Sequence, residues 1–217
     1  MPTHFAGIPA AAFQFYADLE VANSRDFWAA HRSIYDESVR DPLHLLMSEL
    51  EPEFGPGRLF RPYRDVRFSA DKSPYKEHQG GYVEVGPACG YYVQVSSGGM
   101  MVAAGWHAPA SAQVSRYREA VVSPAGQALV GLLGGLRRRG LEVGGERLKT
   151  QPRGVPADHP MVELLRYRSL TVSTDFALAE PWLGTAEAAQ RVGSVWRAAK
   201  PLVEWLADNV TGRGEQR

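Results

Sequence analysis

The chain holds one cysteine, Cys89, among 217 residues. No internal disulfide can form and no zinc site built on several thiolates exists, which fits a reducing cytoplasm. Net charge is missing too: 24 Lys and Arg balance 24 Asp and Glu. Bulk attraction to nucleic acid or an anionic membrane is therefore not expected, and only a local patch would supply it. No run approaches the ~18 consecutive apolar residues of a membrane span. The start, MPTHFAGIPAAAF, lacks a basic segment followed by a long apolar one, so no signal peptide is expected. Repeats, heptads and low-complexity linkers are also absent. GPACG and SSGGM contain glycine, yet match neither a phosphate loop nor a dinucleotide fingerprint. What remains is the expectation of a soluble, cytoplasmic globular protein. Its 44% hydrophobic and 22% charged residues lie in the ordinary folded range, and its length suits one domain.

Periodicity then predicts the elements. Phe13, Tyr16 and Leu19 fall at helical spacing in 10–22. Asn23 and Ser24 offer a cap to a second helix burying Phe27, Ile34 and Tyr35. Asp41-Pro42 reads either as a cap with a first-turn proline or as a kink in one long helix. Behind it Leu43, Leu46, Met47 and Leu50 form an apolar stripe, and the prolines and glycines from Pro52 to Gly57 end the block. From 60 to 107 the period becomes two, with a Ser96–Gly99 hairpin turn. Helices return at 111–122 and 124–139, with Ser111 and Ser123 as caps and Gly140 as a stop. A small Gly-Gly hairpin is expected at 141–149, a short helix from Asp158 to about 166, and a strand with Leu170, Val172, Thr174 and Phe176 on one face. A last helix, with Pro201 inside it, fills 184–210. The sum is a single α+β domain, an antiparallel sheet with helices packed mainly on one face. Its helical block is about 10–52, its sheet and signature loop about 60–107, and its mixed C-terminal part 111–210.

Candidate chemistry concentrates in FRPYRDVRFSADKSPYK, where Arg61, Arg64, Arg67, Lys72 and Lys76 gather in one short stretch. If 65–68 is extended, Asp65 and Arg67 share one face while Val66 and Phe68 face the core. Ser69, Asp71, Ser73 and Pro74 then supply turn chemistry. Lys72 and Lys76, four residues apart on a loop, would converge. Arginine forks with lysine point charges are a common way to hold phosphate or carboxylate, and Arg153, in QPRGVPADHP, would add another guanidinium. Asp65 and Asp71 are the candidates for a general acid or base. The competing reading is a structural network in which Asp65, Asp71 and Glu77 pair with the cations.

Other residues carry plainer readings. His78, His107 and His159, with Glu84 or Asp158, fit no metal-ligand spacing, so no metal is expected. Ser69 has no Gly-x-Ser-x-Gly elbow and no histidine at a triad spacing. Asp158-His159-Pro160 suits a helix start, Cys89 a buried thiol, and the five tryptophans core packing. Arg137–Arg139 complements a helix end. With Tyr63 and Tyr75 near the signature cations it would make a nucleic-acid stripe, which the neutral total charge disfavours. No motif names a cofactor.

The run FRPYRDVRFSADKSPYKEH closely resembles the signature of a bacterial and fungal family, the domain of unknown function 2461. Arg61, Arg64, Asp65, Arg67, Phe68, Ser69, Asp71, Lys72, Pro74, Tyr75 and Lys76 all match its string. FYADLEVANSRDFWAAHRSIYDESVRDPL resembles its opening helices, GYYVQVSSGGMMVAAGWHAPA its hairpin, and LKTQPRGVPADHPMVELLRYRSL its Asp-His-Pro segment. His107 departs from the pattern, standing where an aromatic residue is expected. The resemblance covers nearly the whole chain and implies no settled activity and no catalytic residues to carry over. Three expectations stand, in order. The protein binds a small phosphorylated or carboxylated ligand through the signature, with or without chemistry. Alternatively it is a structural or interaction protein, or, third, a nucleic-acid binder.

Overall fold

The computed structural model describes residues 4–67 and 69–211. The architecture is α+β. Six strands form an antiparallel sheet: β1 (Gly57–Leu59), β2 (His78–Gly86), β3 (Cys89–Ser96), β4 (Gly99–Trp106), β5 (Glu142–Gly144) and β6 (Leu170–Ala177). Their order is β1-β2-β3-β4-β6-β5. The chain divides into two compact units. One comprises Met1–Val83, Tyr92–Val102 and Asp175–Ser194, the other Glu84–Tyr91, Ala103–Thr174 and Val195–Arg217.

The first unit opens with α1 (Ala10–Val21) and α2 (Arg25–Tyr35), separated by a turn whose Ser24 Oγ accepts from Phe27 N at 3.1 Å. This cap satisfies one of the orphan N–H groups of α2. A π-helical turn, Asp36–Arg40, then leads without a break into α3 (Asp41–Phe54). Of the two readings of Asp41-Pro42, the single interrupted helix is correct. Asp41 has helical dihedrals, and its N–H reaches back five residues to Asp36 O. Pro42 has no N–H, and its ring would press on the carbonyl four residues earlier; the wider π turn relieves both problems. Pro52 does not end α3, which runs two residues further and stops at Gly55, φ 93°.

Ile34 does not enter the core; it is 39% exposed, and Phe27 is half-buried. Trp28, Tyr35 and Val39 form the buried stripe instead, because a helix turns 100° per residue and the face set by Trp28 and Tyr35 excludes Ile34. Where α3 meets β1 and β2, Met47 lies over two glycines. A Cβ on Gly57 would come within 2.2 Å of Met47 Cε, and one on Gly81 within 3.0 Å of its sulfur. Gly81 and Val83 thus face the helices, while Gly80 and Tyr82 face the other way.

In the second unit α4 (Ser111–Val122) and α5 (Pro124–Arg138) match their expected ranges. Ser123 caps α5 through Ala125 N, but Ser111 is already inside α4 and Ala110 holds the cap position. Gln113 makes good the loss, accepting from Ala110 N at 2.9 Å and donating to Pro87 O at 2.8 Å. Trp106 packs on Tyr117, and Trp205 donates to Ala125 O at 3.0 Å. Cys89 is buried, its sulfur 3.8 Å from Val203 O. All five tryptophans are buried, and α7 (Glu187–Asn209) continues through Pro201.

The expected Gly-Gly hairpin at 141–149 does not form. β5 pairs antiparallel with β6, Val143 opposite Val172, and Arg147 bridges Tyr167. The reason lies in Gly145, at φ 124°, where a Cβ would sit 2.2 Å from Ser169 O. The glycine serves close backbone approach to a distant strand, a demand that a turn glycine shares. The short helix expected from Asp158 is reduced to α6 (Val162–Leu165). His159 Nδ1 accepts from Met161 N at 3.1 Å just before it.

Candidate functional site

The signature folds as a long hairpin belonging wholly to the first unit. Beyond β1 and β2 the ladder continues: Phe60 N donates to Gly80 O at 2.9 Å, Lys76 N to Pro62 O at 2.8 Å and Arg64 N to Pro74 O at 2.9 Å. Tyr63 and Tyr75 form an antiparallel bridge. Residues 65–67 and 69–73 belong to its tip. The strand expected at 65–68 is absent: 64–66 have no regular structure, Arg67 lies in a turn, and Phe68 falls outside the described residues.

Its base is fastened from α2 and the turn before it. Asn23 Nδ2 donates to Tyr75 O at 3.0 Å, and Tyr75 N donates to Asn23 Oδ1 at 3.2 Å. One side-chain amide thus acts as a strand partner for a residue 52 positions away. The Tyr75 ring lies on Trp28, centroids 4.1 Å apart and planes 5° apart. Tyr63 leans on both rings. Tyr35 Oη donates to Gln79 Oε1 at 2.6 Å, and Gln79 Nε2 donates to Phe60 O at 2.6 Å. Burial lifts the Tyr35 phenol to about 12, so it stays a donor at neutral pH.

At the tip, most of the cations already have partners. Arg67 grips Asp65 with Nε at 2.9 Å and Nη2 at 2.6 Å, and its own N–H donates to Asp65 Oδ1 at 3.2 Å. Arg64 Nη1 donates to Asp71 Oδ2. Asp71 also accepts from Ser73, from the backbone N–H at 2.9 Å and the hydroxyl at 2.6 Å. Lys72 Nζ turns back to Val66 O at 3.0 Å. Hydrogen bonds from Arg67 hold the Asp65 carboxyl below the usual range, and those from Ser73, then Arg64, do the same for Asp71. Both are ionised at neutral pH and both already accept several bonds. That suits anchoring carboxylates, and suits a general acid poorly.

Lys76 and Arg61 differ. Among the described residues neither forms an ion pair with a carboxylate. Lys76 Nζ lies over the Phe60 ring, 5.4 Å from its centroid. Burial lowers the Lys76 pKa, and the positive charge of Arg61 lowers it further. The pKa of His78, half-buried two residues on at the start of β2, is lowered by burial and then by Lys76. His78, Gly80 and Tyr82 alternate onto one side of β2, opposite the face under α3, and Lys76 precedes them in the same alternation. Phe60 stacks against Tyr82 and tilts toward Tyr92, both at 6.2 Å.

So the hairpin divides its cations. Lys72 bonds a tip carbonyl while Lys76 sits at the base with Arg61, so the two lysines serve different partners. Arg153 is exposed and belongs to the second unit, in a turn with Gly154. Among the described residues no three His, Cys, Asp or Glu side chains are grouped to hold a metal ion. No single helix there is long and apolar enough to cross a membrane. Sequence reasoning missed Asn23, Gln79 and Trp28 as parts of this region. Asn23 was visible only as half of an Asn-Ser cap, and nothing local announces a bond to Tyr75.

A family model described as a conserved hypothetical protein, DUF2461, matches residues 11–205. The chain belongs to the DUF2461 family. That match spans the whole signature hairpin together with α2 and most of α7. No curated protein and no solved structure matches the chain significantly.

Proposed function

We propose that this DUF2461 protein binds a small phosphorylated or carboxylated molecule at the base of the signature hairpin, with Arg61 and Lys76 as its direct contacts. One observation carries the reading. The Lys76 pKa is lowered first by burial and then by the nearby Arg61 charge, and no carboxylate among the described residues pairs with either cation. An exposed Arg61 beside a half-buried Lys76 leaves two like charges that an anion would relieve. A guanidinium fork and an ammonium point charge together suit a phosphate or carboxylate head. The exposed Phe60 ring supplies an apolar neighbour for the ligand's body.

Arg64, Arg67 and Lys72 take a different part in this reading. Their bonds to Asp71, Asp65 and Val66 O favour the structural alternative for the tip itself. They shape the loop, and Arg61 with Lys76 meets the ligand. Nucleic acid is disfavoured as that ligand, because the chain is neutral and three signature cations are already engaged within the loop. The lone buried cysteine supports placing the protein in a reducing cytoplasm.

The test is a thermal-shift screen with inorganic phosphate, sugar phosphates, nucleotides and dicarboxylates. A ligand at a hundred times its dissociation constant adds about 2.7 kcal/mol to stability. Arg61→Gln and Lys76→Gln should each remove the shift while the protein stays folded. A shift that survives both substitutions and disappears in Arg67→Gln would refute this division of labour. No shift with any anion would return the whole motif to a structural role.

A further inference from the structure

We propose that the second unit carries a separate pocket for a small carboxylic acid with an apolar body, bound between Arg137 and Arg147. A cavity of about 320 Å³ lies there, within the size range of small-molecule sites. One wall is apolar: Val130 and Leu133 of α5 and Leu164 of α6. Leu133 is fully buried, whereas Val130 is 44% exposed, an apolar side chain left facing the opening.

The polar wall is unevenly charged. Arg147 lies over the Tyr167 ring, 4.9 Å from its centroid, and Nη2 donates to Glu163 Oε2. Arg166 Nη1 takes the other oxygen of Glu163 at 3.1 Å. One carboxylate is therefore divided between two guanidiniums, and neither fork is filled in the bidentate manner that guanidinium geometry favours. Hydrogen bonds from Arg166, then Arg147, keep Glu163 ionised. Arg166 turns its other donors to Leu148 O at 3.0 Å and Lys149 O at 2.9 Å, which fixes it as scaffold. Arg137, also lining the cavity, has no carboxylate partner among the described residues.

The lining thus sets two guanidiniums against one carboxylate, a surplus of one positive charge beside an apolar wall. That selects a ligand with a single negative charge. A polyphosphate would meet repulsion from Glu163, and an uncharged lipid would leave Arg137 unused. Arg147, held over the buried Tyr167 ring, orients the head, while Arg137 near the exposed end of α5 supplies the second guanidinium.

The experiment titrates the full chain with octanoate by calorimetry and follows the methyl resonances of Val130, Leu133 and Leu164. Saturable one-site binding that moves those methyls is expected. 1-Octanol, matched in its chain but uncharged, should bind about tenfold more weakly, and Arg137→Gln should cost about tenfold in octanoate affinity with an unchanged melting temperature. Lys76→Gln, in the first unit, should leave octanoate affinity as it was. Absence of methyl shifts up to about 10 mM octanoate overturns the proposal. So does equal binding of octanol, or an affinity that Arg137→Gln leaves intact.

Discussion

Asn23 and Tyr75 are joined by two hydrogen bonds between one side-chain amide and one residue's backbone, 3.0 and 3.2 Å long. The amide presents a donor and an acceptor side by side, as a neighbouring strand would. The bond locks the helical turn before α2 to the hairpin base, with Trp28 stacked on the Tyr75 ring beneath. Asn23→Ala should strand both backbone groups and destabilise the protein by about 1–3 kcal/mol. Asn23→Asp keeps only the acceptor, so its cost should fall between those of alanine and the native residue. Urea unfolding with tryptophan fluorescence checks the order, and an alanine variant as stable as wild type would remove the clamp.

Asp71 gives a second expectation, in acid. Its folded-state pKa is depressed, first by Ser73 and then by Arg64. A depressed carboxylate contributes stability that is present above its ordinary value of about 3.9 and lost as pH falls through the folded value. The hairpin tip should therefore stay closed down to pH values below that of an ordinary aspartate. Ser73→Ala removes the hydroxyl bond, the largest single cause, and keeps the backbone one, while Arg64→Gln removes a bond and a charge, so each should raise the Asp71 pKa. Carbon-detected titration of the Asp71 carboxyl reads both shifts directly; a pKa that neither substitution moves would contradict the geometry of the turn.

Two glycines in the second unit should respond with opposite signs. At Gly105, φ is 138° and a Cβ would lie 2.3 Å from Leu170 O, a backbone atom that cannot swing aside. Gly105→Ala should lose at least the ~1–3 kcal/mol of a strained backbone position. Gly131 lies mid-way along α5 with nothing within 4 Å of the added carbon. Gly131→Ala should stabilise by about 0.5–1 kcal/mol through helix propensity. Calorimetric melting of the two variants decides both. A Gly131→Ala variant less stable than wild type would mean that α5 has an outward contact.

These contrasts show what could be read in advance. α4 and α5 were legible because proline, serine and glycine punctuate their ends and the local signal is sufficient. β2, β3 and β4 were legible because alternation and two-residue turns are local too. Gly145 was not, since a glycine required by a neighbouring strand looks like a glycine required by a turn. Ile34 was misplaced because the buried face of α2 is set by Trp28 and Tyr35. In the signature, the type of chemistry was plain from five cations in one stretch. Which cations face Asp65 and Asp71, and which stand apart, depends on where the hairpin tip closes. The hairpin base below that tip is fixed by Asn23 and Gln79, residues whose sequence neighbourhoods give no hint of it.

His78 offers the last expectation and a reporter for the proposed site. Burial lowers its pKa, and Lys76 lowers it further. Below the ordinary histidine value of about 6.5 the unfolded chain takes up a proton that the folded His78 resists. Stability tied to this group is therefore present above that value and declines as pH falls below it. Lys76→Gln removes one of the two causes and should move the imidazole titration upward. An anion held by Arg61 and Lys76 should do the same, because it screens the cation that His78 feels. Two-dimensional NMR titration of the His78 ring, with and without saturating inorganic phosphate, separates the outcomes. An upward move in both samples supports the anion site. A shift in Lys76→Gln alone means that the cation is felt but phosphate is not held beside it. A ring that titrates at the ordinary value in the unliganded protein would remove the electrostatic ground on which the Arg61–Lys76 pairing rests.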